Sequence, residues 1–280
     1  MMTKNTIYKT NLARIADTFG PRPDPHDPWP VSEIEAVPRD VVIRAQECPS
    51  GYAIAPHHHG RHQLVYAHRG VMTVTTATGI WVVPPQRAVW VPTNIPHEVA
   101  ARDPVSMRNV YIRPEAAAGL PEGCFVVTVS PLLRELILQA AALPRLYDEA
   151  GPDGRMMAVI LDQIRAAPVA PLELPWPANP RLAPIVETLK ENPGDPRSLG
   201  DWAAVAGASA RTLARLFVRE TGMTFGQWRQ QARLLEALAR LATGQPAAMV
   251  AFDLGYGSQS AFIAMFRKAL GKTPGKYFAE

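Results

Sequence analysis

The feature that most constrains this chain is a change in the period of its apolar residues across a proline-dense stretch, Pro168 to Pro180 (PVAPLELPWPANP). Proline fixes φ and has no amide proton, so this stretch cannot be helix or central strand and reads as a stiff, extended linker. Ahead of it, from Val41, come short runs rich in β-branched and aromatic residues: VVIRA, HQLVYAHRG, VMTVTTATG, IWVVPP, AVWVP and MRNVYI. Runs of that length separated by turn residues predict a small sandwich or barrel. Behind it the apolar spacing is helical, and helices are predicted at 181–192, 198–206, 209–221, 224–243, 246–254 and 258–270, with a last turn from Pro274.

Two further segments complete the outline. Gly20 to Pro30 (GPRPDPHDPWP) is again too proline-rich for regular structure, and residues 1–30 read as a flexible N-terminal arm. Pro131 to Leu143 and Gly154 to Ala166 place apolar residues at helical intervals, so their faces would pack on the β-rich domain or on a second copy of it. The expected division is therefore an arm at 1–30, a β-rich domain at 31–115, a helical dimerisation and linker region at 116–177, and an all-helical domain at 178–280. A chain of 280 residues is the right length for two such cores.

Charge separates the halves. Residues 178–280 hold 13 Lys and Arg against 8 Asp and Glu, whereas the preceding residues hold 16 against 17, so the positive excess lies where a polyanion would be met. No apolar run is long enough to span a bilayer and the start lacks the apolar stretch of a secretion signal, which predicts a cytoplasmic protein without a membrane partner. Cys48 and Cys124 are the only cysteines and lack the paired spacing of a zinc knuckle or redox motif, as suits a reducing compartment.

Within the C-terminal hundred residues the same design occurs twice: a short helix, a turn containing glycine, and a second helix opened by serine. Leu199 to Ala206 leads through Gly207 to Ser209 and an inward stripe of Leu213, Leu216 and Phe217, leaving Arg211, Thr212 and Arg215 outside. Met249 to Leu254 leads through Gly255-Tyr256-Gly257 to Ser258, with Phe262, Phe266 and Leu270 inward and Gln259, Ser260 and Ile263 in front. Arginine pairs bidentately with guanine, glutamine with adenine, and an apolar tip meets the thymine methyl, which is what reading base edges in a major groove requires. Arg219, Arg267, Lys268, Lys272 and Lys276 lie further back, where phosphates are expected. The amphipathic helix between the units, Phe225 to Leu241, would set them apart by roughly one turn of duplex, on the order of 34 Å.

These residues resemble the DNA-binding domain of the AraC/XylS family of regulators. The likeness is carried by Ala203 to Ala206, Gly207-x-Ser209, Leu213-x-Arg215-x-Phe217, Gly222, Arg233, Leu235, Ala239, Leu254-Gly255-Tyr256, Ser260-Ala261-Phe262, Phe266-Arg267, Gly271-x-Thr273-Pro274 and Tyr277. Trp228 departs from it where tyrosine is more usual, and Ala264 where a long polar side chain is.

A second constellation lies at residues 51–97. Gly51, His57-His58-His59, Gln63 and Gly70 resemble the first cupin motif, with Gln63 in the place of glutamate, and Pro92-Thr93-Asn94-Ile95-Pro96-His97 resembles the second, with Asn94 in the place of glycine. His57 and His59, two apart on one strand, would face His97 across a barrel; with Gln63 they suit zinc, nickel or iron, an organic effector without metal, or a purely structural role. His62 and His68 enrich the region and read as turn or surface residues. Trp81 and Trp90 would line the effector pocket or fill the core.

The fold class expected is thus α+β and multidomain: a cupin-like β-barrel, amphipathic linker helices and an all-α domain with two helix-turn-helix units. The resemblance implies a transcription regulator, activator or repressor, that binds double-stranded DNA as a homodimer, has RNA polymerase as a partner, and senses a small molecule or metal in the cupin domain. It implies no enzymatic activity. The alternative from another class is a metal-dependent cupin enzyme with a helical appendage; an architectural DNA binder would leave the histidine motif without use.

Overall fold

The computed structural model describes residues 31–170 and 172–278, apart from the side chains of 31 and 32. The arm expected at 1–30 lies outside the described residues. A short helix, α1 (Val31–Ala36), precedes eight strands: β1 (Val41–Cys48), β2 (Ala53–His57), β3 (His62–Arg69), β4 (Met72–Thr76), β5 (Gly79–Val83), β6 (Arg87–Val91), β7 (His97–Ala100) and β8 (Val105–Ile112). After a single 3-10 turn at Pro114–Ala117 come β9 (Phe125–Thr128), α2 (Pro131–Ala140), α3 (Pro152–Arg165), β10 (Val169–Ala170) and β11 (Glu173–Pro175).

The strands form two antiparallel sheets, in the orders β1-β8-β3-β6-β9-β10 and β11-β5-β4-β7-β2. The barrel expected from the sequence is thus realised as two sheets that hydrogen bonds do not close into a ring. Successive strands bridge both ends instead, β1 passing into β2 at one edge and β10 into β11 at the other. Alternation along β1 explains its double burial. Val41 and Ile43 join a cluster with Leu64, Tyr66, Trp90, Val110 and Ile112, while Arg44, Gln46 and Cys48, one residue out of phase, take the opposite face.

The first of those faces is covered by α2 and α3, whose Leu133, Ile137, Met157, Ile160 and Ile164 complete the same cluster. Their amphipathic faces are therefore used within the chain. Ser130 starts α2 by accepting the Leu133 amide proton, and Pro131 sits where a helix has no use for one.

The proline-dense stretch does more than connect. Strand β11 pairs with β5, Glu173 opposite Trp81 and Pro175 opposite Gly79, an edge position where proline costs no ladder bond. The sequence reading also left β2, β7, β9 and β10 unassigned. They are two to five residues long, too short to show a period of their own, and are fixed by pairing with neighbours.

The remainder of the chain is all helical: α4 (Ala183–Glu191), α5 (Leu199–Val205), α6 (Ala210–Thr221), α7 (Phe225–Ala242), α8 (Ala247–Asp253), α9 (Gln259–Leu270) and α10 (Pro274–Tyr277). Each lies within the predicted ranges, because the caps are written in the sequence: Ser198, Ser209, Thr224 and Ser258 each accept an amide proton from the first turn that follows. The long helix α7 lies against the sheet through β5 and β11. The Trp228 indole donates to the Pro175 carbonyl at 2.8 Å, the Gln231 amide donates to the Glu173 carbonyl, and Arg102 pairs with Glu236. One apolar cluster accordingly runs from Trp81, Leu172 and Leu174 into Trp228, Leu235 and Phe262.

Candidate functional site

Helix α6 presents the first row of side chains. Ser209 Oγ accepts the Thr212 amide proton, Gly207 ahead of it takes φ +59°, and Leu213, Leu216 and Phe217 are buried. That fixes the rotation of the helix, so Arg211, Arg215 and Arg219 are exposed and Thr212 is half-buried. Arg219 is held by Glu220, while Arg211 and Arg215 make no ion pair or hydrogen bond among the described residues. An open groove of about 810 Å³ runs beside Arg215 and Arg219, lined also by Asn179 and Arg181, two residues that sequence reasoning missed because they lie at the end of the linker, well ahead of the helix.

Helix α9 presents the second row. Ser258 Oγ accepts the Ala261 amide proton, and Phe262 and Phe266 are fully buried. Gln259, Ser260, Arg267, Lys268 and, past the helix, Lys272 are exposed, whereas Ile263 is half-buried against the apolar cluster and is less forward than the sequence suggested. The turn before the helix needs a glycine: Gly255 has φ +73°, and a Cβ there would come within 3.0 Å of the Gly194 carbonyl. Arg233 closes this corner by donating to the Pro193 carbonyl beneath the Tyr256 ring.

At the edge where β1 meets β2, the histidines converge. His57 ends β2 and lies directly opposite His97 on β7, with ring centroids 4.4 Å apart. His59 is not on the strand, as expected from the sequence, but in the loop beyond it, and its ring still comes within 5.2 Å of His97. Two devices hold that loop. Glu35 of α1 accepts the Gly60 amide proton, and Asn94 donates its own amide proton to the His59 carbonyl. Asn94 does so at φ +60°, the only non-glycine at positive φ among the described residues, which is why asparagine serves in the glycine position.

Each of the three rings has Nδ1 against a backbone carbonyl: His57 against Ala55 at 3.0 Å, His59 against Arg61 at 2.6 Å, and His97 against Ile95 at 2.9 Å. A carbonyl only accepts, so Nδ1 carries a proton, and in the neutral form of such a ring Nε2 carries a lone pair. Burial favours the neutral form, lowering His57 and bringing His97 down to about 4. Gln63 Oε1 lies 2.9 Å from His59 Nε2 and 3.0 Å from His97 Nε2 while its Nε2 donates to the Tyr111 hydroxyl. Acceptors facing acceptors need a cation between them. The other resolution is an amide turned over, donating to both rings and accepting from Tyr111. Three imidazoles that each offer a ring nitrogen within 4.8 Å of the other two, each ring oriented by a carbonyl, fit a divalent transition metal.

Of the other aromatic and histidine residues singled out in the sequence, none joins this group. Trp90 is fully buried in the cluster under α2 and α3, stacked on His62 and donating to the Pro121 carbonyl. Trp81 lies in the apolar cluster with Val74, Val83 and Val89. His68 is half-buried on β3. Sequence reasoning missed Tyr111 and Arg44, which share the inward side of β8 and β1.

Two family descriptions match different parts of the chain. The family described as the AraC-like ligand binding domain matches residues 41–190, and that described as a helix-turn-helix domain matches residues 202–280. The HTH-type transcriptional regulator NimR of Escherichia coli strain K12 is 39% identical over 223 residues, which cover 80% of this chain and 81% of NimR. The regulatory protein SoxS of Salmonella typhimurium strain LT2 is 35% identical over 94 residues, 33% of this chain and 88% of SoxS. Among solved structures, the DNA-binding domain of AdpA in complex with a target DNA is 32% identical, covering 36% of this chain and 92% of that one, with a TM-score of 0.34.

Proposed function

The chain belongs to the AraC family of transcription regulators, DNA-binding proteins with a ligand-binding domain, and on that premise we propose which of its residues read DNA and which receive the effector. Arg211, Thr212 and Arg215 of α6 enter one major groove and Gln259, Ser260 and Ile263 of α9 the next, with Arg219, Arg267, Lys268 and Lys272 on the flanking phosphates. The observation that carries this reading is the pair Arg211 and Arg215, exposed one turn apart on a helix whose other face is fully buried, with no acidic partner. An acid three or four residues away would add a few tenths of a kcal/mol to the helix, yet the one acid on α6, Glu220, pairs with Arg219.

The effector reaches the edge of the sandwich at His57, His59, Gln63 and His97. The same donors would hold zinc, nickel or iron, and a metal there would supply a Lewis-acidic position for an oxygen or nitrogen atom of the effector. The four residues serve a binding role, and the enzyme reading is weakened by the neutral amide that holds the carboxylate position of the motif. Residues 41–175 form the sensor and 178–280 the reader, working in the cytoplasm as a homodimer that presents paired readers to paired half-sites and meets RNA polymerase there.

Mobility shifts on DNA upstream of its own gene and its neighbours, with and without zinc, test the proposal. Binding with a footprint over two successive major grooves is the expected result. A footprint confined to one groove, unchanged when Gln259 and Ser260 are replaced by alanine, would remove α9 from the reading surface.

A further inference from the structure

Arg44 sits on β1 in a run of buried residues and is itself only 7% exposed. A guanidinium keeps its charge in any protein interior, so burying one without an anion is costly. No carboxylate among the described residues pairs with it. Glu47, the acid next along the strand, projects from the other face and is taken by Arg108 and Ser106. Arg61, equally buried, differs in that both its terminal nitrogens donate to backbone carbonyls, those of Arg39 and Val37, although its Nε is likewise without a partner among the described residues. Arg44 Nε has no hydrogen-bond partner among the described residues.

Its surroundings point the same way. Two residues along the same face, Gln46 donates to the Tyr52 hydroxyl and leaves its buried Oε1 without a partner. Tyr111 bridges Arg44 to the histidines: burial raises its pKa, Arg44 counters that rise through charge and a hydrogen bond, and Gln63 donates to the same hydroxyl. Arg44 is thus linked through the Tyr111 phenol and Gln63 to His59 and His97, with the unsatisfied end of Gln46 on the same face of β1. Further along the face, Cys48 and Met107 lie in contact and the lining becomes apolar.

We propose that Arg44 is the anion-binding residue of the effector pocket and that the effector is a small organic acid, its carboxylate on Arg44 and a second polar atom toward the His57, His59 and His97 end. This rests on the effector reading above and adds the ligand's chemical class. The stability lost to an uncompensated charge is recovered when the acid binds, which gives the ligand a differential affinity for the conformation it completes.

The test uses the full chain and its thermal midpoint in acetate, malonate and succinate, against chloride at equal ionic strength and against the matched amides. The acids should raise the midpoint with concentration and the amides should not. Arg44→Met should weaken the acids at least about tenfold and, ligand-free, should melt no lower than the parent, because it exchanges a buried unpaired charge for an apolar side chain. If Arg44→Met does not fold, Arg44→Gln serves for the binding comparison. Equal response to acid and amide, no response to any acid, or an unchanged response in the Arg44 variants would each overturn the proposal. A pocket that answers the amides and loses that answer in His97→Ala would sink the acid alone. Silence toward acids, amides and zinc, with DNA binding intact, would sink the effector reading as well.

Discussion

Arg215 is the residue on which base readout can be measured most directly. It is exposed on α6 with no acid attached, so its guanidinium is free to meet a guanine edge. Replacing it by alanine should cost about 1 to 3 kcal/mol at one base pair and relax the preference there, as measured by mobility shifts on single-base operator variants. An equal loss on every sequence would make it a phosphate contact. Gln63 offers a complementary measurement. Its Oε1 already lies within 3.0 Å of two imidazole lone pairs, so Gln63→Glu puts a negative oxygen where the amide dipole was. Zinc or nickel affinity, followed by titration, should then rise about tenfold or more. A variant that binds metal no better than the parent would mean that position 63 does not face the ion. At this scale much was legible. His57, His59, Gln63 and His97 stand out through their likeness to the cupin motifs, whereas Arg44 is hidden inside an apolar run, although a charge in a strand otherwise destined for burial is itself a signal.

Among the elements, the two reading helices are held by local chemistry. Ser209 and Ser258 each satisfy an amide at a helix start, and both helices end at a glycine in the left-handed region, Gly222 and Gly271. Removing either serine hydroxyl should lower stability by about 1 kcal/mol, and Ser209→Ala should fray the turn that carries Arg211 and Thr212. Hydrogen exchange across α6 would register this, with faster exchange expected at residues 210–213 and none at α9. The caps and the 3.6-residue period are contained within single segments, which is why these helices could be predicted to within a residue or two. Strands β2, β7, β9, β10 and β11 could not, because nothing in a segment such as Ala53–His57 favours extension until a neighbour supplies its hydrogen bonds. His59 illustrates the difference: its partner follows from the motif, but its place beyond the end of β2 does not.

For the whole molecule, the contact of α7 with β5 and β11 matters most, since α7 also joins the two reading units. Trp228 stands where tyrosine is more usual, and its indole proton is what reaches the Pro175 carbonyl. Trp228→Phe keeps an aromatic ring in the apolar cluster and deletes that donor, so the thermal midpoint should fall by the equivalent of about 1 kcal/mol, with exchange at residues 172–176 rising more than elsewhere. Unchanged exchange at β11 would show that the hydrogen bond does not hold the sensor against the reader. The Arg102–Glu236 pair, largely exposed on the arginine side, should contribute about 0 to 1 kcal/mol and be screened by salt. By itself the sequence determined the class of each half, the helices with their caps and the outward arginines, because those follow from periodicity and from contacts a few residues long; the histidine set came through its likeness to the cupin motifs. Only the tertiary structure decided that the proline-rich connector is a strand shared with the sensor, that α2 and α3 cover their own sheet, and that Arg44 is buried beside Tyr111 without an acid. Those outcomes depend on which distant surfaces meet, and no local pattern along a chain specifies that.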